Sequence, residues 1–244
     1  AKRNKFPRFY FVSNPALLQI LSQGSDKEAV QQCFAKNFDS VERVEFTGNN
    51  ITALMSLSAG MGGKMDVEKI PLDKPVAAKG NIEDWLNQLL KMMMRSMKSI
   101  VRKGSKDAEI ISLEQFVDKY CAQMCLLAIQ LLWTTDVQQA LVSCKVDKGS
   151  LVNAQTKQKN ILNLLATMTT KEIPTKMKRR NVETLVTIQV HYVDVLDDIV
   201  KLYKAKKIFN HHDFEWQKQL RCYWEAEQDN LFVKVADVDF AYCY

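Results

Sequence analysis

From Ile82 through Leu86, Leu89, Met93 and Met97 to Ile100, apolar residues recur at steps of four and three, the spacing of one helix face. Gly80 and Asn81 open this helix, Glu83 and Asp84 complement its positive end, and Gly104 is expected to stop it. Ser112 with Gln115 forms a capping box, after which Phe116, Tyr120, Met124, Leu127 and Leu131 carry a second helix to Trp133. Thr135 and Gln138 are expected to cap a further helix to about Ser143. Another runs over 151–168, with Pro174 closing that unit. Over 176–207, Val186, Ile188, Val190 and Tyr192 alternate as in a strand, while Val182, Leu185, Gln189, Tyr192, Leu196, Ile199 and Tyr203 share one helical face. The length decides for a helix, because a strand this long would be exceptional.

The flanking segments are shorter and more mixed. Residues 6–12, aromatic with Pro7, read as an edge strand or extended entry. Asn14 and Pro15 start a short helix over 15–23 that Gly24 stops, and Ser25 with Glu28 caps the next, whose Val30, Phe34 and Phe38 share a face. Strands are expected at 43–46 and 51–57, followed by a loop-rich connection through Gly60, Gly62, Gly63, Pro71 and Pro75. A short aromatic helix over 214–224 precedes two terminal strands, 231–235 and 238–242, whose pairing is expected to be incomplete and Tyr242 and Tyr244 exposed. The fold class is mainly α: packed helical bundles with a few short strands near the N-terminus, over 43–57 and at the C-terminus. An entry subdomain over 1–80 and a helical subdomain over 81–244 are expected.

Composition agrees with a folded, helical chain, since 47% of residues are hydrophobic, 25% are charged, and only eight glycines and five prolines punctuate 244 residues. The 34 basic and 28 acidic residues leave a net charge of only +6, which by itself argues for neither nucleic acid nor a membrane as a partner. The six cysteines show no C-x-x-C spacing, so they read as reduced core thiols. The apolar run 125–133 is too short to span a bilayer. No signal-peptide pattern opens the chain, Ala1 reads as a cut end, and cytoplasmic residence is expected.

Candidate chemistry is sparse. Gly62-Gly63-Lys64 resembles the end of a phosphate loop, but Met65 and Ser58 stand where that motif needs a hydroxyl residue and its first glycine. His191, Asp194 and Asp198 share a helix face and could hold a metal or run acid–base chemistry, although a hydrated, salt-bridged surface with Asp197 and Lys201 accounts for them better. Asp213, beside His211, His212 and Glu215, is placed to N-cap the next helix. Lys91, Arg95, Lys98 and Arg102 form a cationic stripe that is either solvated or docks on an acidic partner. The basic clusters at 176–180 and 201–207 lack interleaved aromatics for nucleic acid. A basic helical scaffold for nucleic acid or acidic protein, and a metal-dependent hydrolase using His191, Asp194 and Asp198, remain as alternatives.

Several ordered blocks resemble dynein heavy chains. Phe6-Pro7-Arg8-Phe9-Tyr10-Phe11-Val12-Ser13-Asn14 with Leu17-Leu18-Gln19-Ile20-Leu21-Ser22 is similar to that family's F-P-R-F-Y-F-x-S-N and L-L-x-I-L-S signature. Asn81-Ile82-Glu83-Asp84-Trp85-Leu86, the Trp133-Thr134 pair, and Thr187-Ile188-Gln189-Val190-His191 with Asp194 resemble its next blocks. The last two blocks are Phe214-Glu215-Trp216 continuing through Arg221, Tyr223 and Trp224, and Phe240 with Tyr242 and Tyr244. One departure is Lys64, which stands in a turn that is usually acidic. The resemblance implies the C-terminal part of the linker that precedes the first AAA+ module, axonemal and closest in type to outer-arm gamma chains. It implies no catalysis and no cofactor in this segment. ATP and magnesium are expected in the full motor, and the AAA+ ring of the same chain is the expected intramolecular partner. Microtubules and the intermediate and light chains are expected as partners through the full protein, and the cytoskeleton of a cilium or flagellum as the location. Neither nucleic acid nor membrane is an expected partner.

Overall fold

In the computed structural model, the described residues are 2–22, 26–208 and 210–244, with the backbone alone for Cys33 and Met61. They form two compact units, one made of described residues from 1–99 with 175–177 and 244, the other of 100–174 and 178–243. The class is mainly α, with two three-stranded antiparallel sheets.

In the first unit, residues 6–12 are not a strand. A short helix α1 (Lys2–Lys5) leads into a 3-10 helix over Pro7–Phe11, with Pro7 at a first-turn position where its missing N–H costs nothing. Tertiary packing overrides the extended preference of the aromatics: Phe6 and Phe9 are fully buried and meet edge to face at 4.9 Å. The following helix, α2, is Asn14–Ser22. Gly24 and Ser25 lie outside the described residues; α3 (Lys27–Asn37) is capped by Asp26, whose carboxylate accepts the Glu28 N–H.

Strands β1 (Arg43–Thr47) and β2 (Asn50–Ala59) extend the expected segments slightly, but the expected loop beyond them is largely a third strand, β3 (Met65–Ala77). Both prolines fit because β3 is an edge in the order β1-β2-β3. Ile51 pairs with Val76 and Ala53 with Pro71, so residues 72–75, including Pro75, bulge out of register. The bulge is held by α4 (Ile82–Asp107): the Asp73 N–H donates to Ser96 Oγ at 2.9 Å, and Ser99 Oγ donates to the Asp73 carboxylate at 2.5 Å. Ile82, Trp85, Leu86 and Leu89 of α4 bury against Phe6, Phe9, Phe34 and Val44, so the aromatic signature and the helix stripe make one core.

In the second unit α4 continues past Gly104 to Asp107. Gly104 does not terminate the helix; a Cβ there would lie 2.7 Å from three side-chain atoms of Met124, so glycine permits close helix packing. The capping box is present, each half at 3.3 Å, but it starts only the short α5 (Leu113–Lys119). Tyr120 and Cys121 turn extended, and α6 then runs unbroken over Ala122–Ser143. Thr135 and Gln138 therefore cap nothing. Eleven residues of α6 are buried, and a helix buried on all sides loses the periodicity that would have shown its continuity. By length and composition α6 alone among the described residues could cross a membrane, yet 56% of its apolar window is covered within the fold, as for a core helix. Helices α7 (Ser150–Thr170) and α8 (Lys176–Lys204) follow as expected.

The segment 214–224 is only one helical turn, α9 (Phe214–Gln217), before β4 (Arg221–Glu225). Strands β5 (Asn230–Val235) and β6 (Val238–Ala241) complete a sheet in the order β4-β5-β6.

Candidate functional site

The signature residues cluster as structural joints. In the second unit, Trp133 of α6 stacks on Tyr192 of α8 with centroids 4.4 Å apart and lies 5.1 Å from Trp216 of α9. The Trp133 indole donates to the Tyr192 carbonyl at 3.2 Å, satisfying a polar atom that burial would otherwise penalise. Burial pushes the Tyr192 hydroxyl up to about 12, so it stays neutral. Arg221 is buried; its guanidinium donates to the carbonyl of Ala236, a hairpin residue held at φ 52°, and to the Tyr223 hydroxyl. The Tyr223 hydroxyl in turn donates to Gln138 of α6 at 2.5 Å. Thr134 Oγ1 accepts the Cys222 N–H at 3.0 Å, tying β4 to α6. Trp224 is half-buried and Phe240 exposed. Contrary to expectation Tyr242 and Tyr244 are half-buried, and the Tyr242 hydroxyl accepts from Gln123 at 2.7 Å.

In the first unit Arg8 donates to the Asn37 carbonyl at 3.0 Å and covers the Phe38 ring, which pins the 3-10 turn to α3. Pro7 begins that turn, and Tyr10 is exposed with its hydroxyl on Asn4. Trp85 is buried beside Phe34. Sequence reasoning missed the role of Glu83. Its side chain is 1% exposed and takes Lys2 Nζ at 2.6 Å, with Lys5 Nζ 3.8 Å away. Burial raises its carboxyl, but Lys2 and the backbone outweigh that and hold it below the ordinary value. The glutamate in the N-x-E-x-W-L block was the available signal, read only as a helix-end charge.

The cationic stripe divides in character. Lys91 and Arg95 are exposed, and Lys98 is half-buried with its ammonium 5.9 Å from the Tyr244 ring. In the second unit Arg102 grips the Asp229 carboxylate through two nitrogens. His191, Asp194 and Asp198 are exposed, with Asp198 on Lys201 at 2.9 Å and Asp197 on Lys159 at 3.2 Å. Among the described residues no group of three or more His, Cys, Asp or Glu side chains is placed to hold a metal. Asp213 occupies the cap position of α9, but its carboxylate accepts the Asn210 N–H at 2.8 Å instead of capping the helix. Gly62 and Gly63 sit at positive φ in the turn between β2 and β3, without the helix a phosphate loop would open into. The five described cysteines are free, and burial pushes the Cys222 thiol up to about 11, where it is inert.

Comparison with known proteins gives this architecture its context. Residues 1–104 match the family described as dynein heavy chain, N-terminal region 2. The chain is 38% identical over 243 residues to dynein axonemal heavy chain 5 of Rattus norvegicus, an alignment covering 99% of the chain and 7% of the rat protein. It is 40% identical to dynein axonemal heavy chain 8 of Mus musculus, over 99% of the chain and 5% of that protein. The dynein gamma chain of the flagellar outer arm of Chlamydomonas reinhardtii is 36% identical over 100% of the chain and 5% of its own length. The chain thus spans a small fraction of the length of these relatives. With the aromatic 3-10 turn, the buried Glu83-x-Trp85 block and the Trp133–Tyr192–Trp216 joint all in place, the chain belongs to the dynein heavy-chain family.

Proposed function

We propose that this segment is a mechanical lever, the linker that carries ATP-driven change in an AAA+ ring to the tail of a microtubule motor. The observation that carries this reading is the joint at Trp133: α6, α8 and α9 are locked by stacked rings and a buried hydrogen bond, and β4 is bolted to α6 through Thr134 and Gln138. Close-packed elements of this kind transmit strain instead of absorbing it. Nucleotide and magnesium would bind elsewhere in the heavy chain, and microtubules and the intermediate and light chains would be met by the full protein. The axonemal relatives support a cilium or flagellum as its place of work. Exposed Lys91 and Arg95, with Lys98, are the proposed ring-facing or partner-facing charges.

The test is made in the full heavy chain. Trp133→Ala, with Trp133→Phe as a milder companion, should leave ATP turnover near that of the parent while microtubule gliding slows several-fold. Turnover and gliding falling in proportion, or neither changing in folded protein, would reject the lever.

A further inference from the structure

In the second unit, α7 and α8 carry the same seven-residue repeat on their buried faces. On α7, Leu151, Ala154, Gln158, Leu165 and Met168 are buried at steps of three, four, seven and three. On α8 the buried face from Val182 through Gln189 to Ile199 alternates steps of three and four. Such a seam brings chemically similar aliphatic side chains round once per turn or two, so on its own it distinguishes poorly between one alignment of two helices and the next. Gln158 and Gln189, 1% and 0% exposed, are the polar positions on these two seams.

The two glutamines meet. Gln189 Nε2 donates to the side-chain oxygen of Gln158 at 2.9 Å and to its backbone carbonyl at 3.0 Å. Gln158 Nε2 donates in turn to one carboxylate oxygen of Asp136 on α6 at 2.8 Å, and the other oxygen takes the exposed Lys157 ammonium at 2.7 Å. The relay therefore ties α8 to α7 and α7 to α6. Gln189 Oε1 is buried with no donor among the described residues, so this is not the arrangement that would make the bundle most stable. Displacing α8 along α7 by one helical turn, about 5.4 Å, would set Gln189 beside Ala154 or Leu162, four residues either side of Gln158. Both amides would then lack partners in a dry interior, while the aliphatic positions would still face aliphatic positions.

We propose that Gln158 and Gln189 form a register pin, a buried polar contact that selects one alignment of α8 against α7 from those the aliphatic seam accepts. Asp136 holds the Gln158 amide in place for that contact. The pair specifies alignment and does not add stability, as a single buried polar residue does at the seam of a coiled coil. This holds whether or not the lever reading does, because its test reads a distance and a melting midpoint and not motility.

The alignment is read by double electron–electron resonance between nitroxides at exposed Thr167 of α7 and Asp198 of α8, carried on ketone-bearing amino acids so that the cysteines stay native. The parent should give one distance. Gln158→Met combined with Gln189→Met keeps the volume, removes both amides and leaves Asp136 on Lys157. This pair should add a second distance displaced by about 5 Å, with the melting midpoint level with the parent or higher. Gln189→Met alone strands the Gln158 amide and should melt below the pair. Gln158→Met combined with Leu162→Gln moves the α7 amide one turn toward the loop before α8, and should shorten the main distance by the same step. One unchanged distance in the methionine pair would show that aliphatic packing alone sets the alignment, and would overturn the pin. A methionine pair that melts below Gln189→Met, or does not fold, would make the amides a source of stability and overturn it as well. An unchanged distance in the folded Leu162→Gln variant would be a further contradiction; should that variant fail to fold, the methionine pair still decides.

Discussion

Trp133 and Tyr192 are joined twice: their rings stack 4.4 Å apart at an interplanar angle of 16°, and the indole of one donates to the backbone carbonyl of the other at 3.2 Å. Trp133→Ala should remove both links and leave a cavity, costing about 3–5 kcal/mol. Trp133→Phe keeps a ring and loses the indole hydrogen bond, while the Tyr192 carbonyl stays in the backbone ladder of α8, so a smaller cost of about 0.5–1.5 kcal/mol is expected. Denaturant unfolding of the two variants would show the order; equal costs would mean that the stacked ring contributes nothing beyond the hydrogen bond.

Glu83 should make the first unit acid-sensitive. Its folded-state carboxyl is held below its ordinary value of 4.5, so its contribution is complete above that pH and is lost as pH falls through the folded value. Glu83→Gln should lower the melting midpoint at neutral pH by roughly 2–4 °C and flatten the acid limb of the pH–stability curve. An unchanged acid limb would show that other carboxyls carry it.

Gly104→Ala should destabilise the second unit although alanine is the better helix former by about 1 kcal/mol. The added methyl meets the fully buried Met124, and overpacking costs about 1–3 kcal/mol. Replacing Met124 by alanine in the same chain should make Gly104→Ala stabilising, which a double-mutant cycle in urea would read.

Arg102 and Lys91 should answer differently to charge reversal. Arg102→Glu breaks the bidentate pair with Asp229, and with both side chains 43% exposed the loss should be about 1 kcal/mol or less, recovered in part by exchanging the two charges. Lys91→Glu and Arg95→Glu should change stability by less than about 0.5 kcal/mol. In the full motor, slowed gliding with Lys91→Glu and Arg95→Glu would support docking through those side chains; unchanged gliding would remove that role.

Some features were settled by local chemistry. The four- and three-residue steps of α4 and α8 forecast their buried faces, because each helix has one wet side, and Ser112 with Gln115 marked a real helix start. The ordered aromatic blocks sufficed to suggest the family. They did not reveal their own conformations: residues 6–12 became a 3-10 turn because Phe6 and Phe9 reach a core supplied by α3 and α4, and 214–224 split into a helical turn and a strand because β5 offered a ladder. The continuity of α6, the strand through Pro71, Gly104 as a packing site and the ion pair on Glu83 were decided only by tertiary structure. Each depends on a neighbour distant in sequence. A periodic pattern records which side of an element is dry, but not which distant atoms make it so.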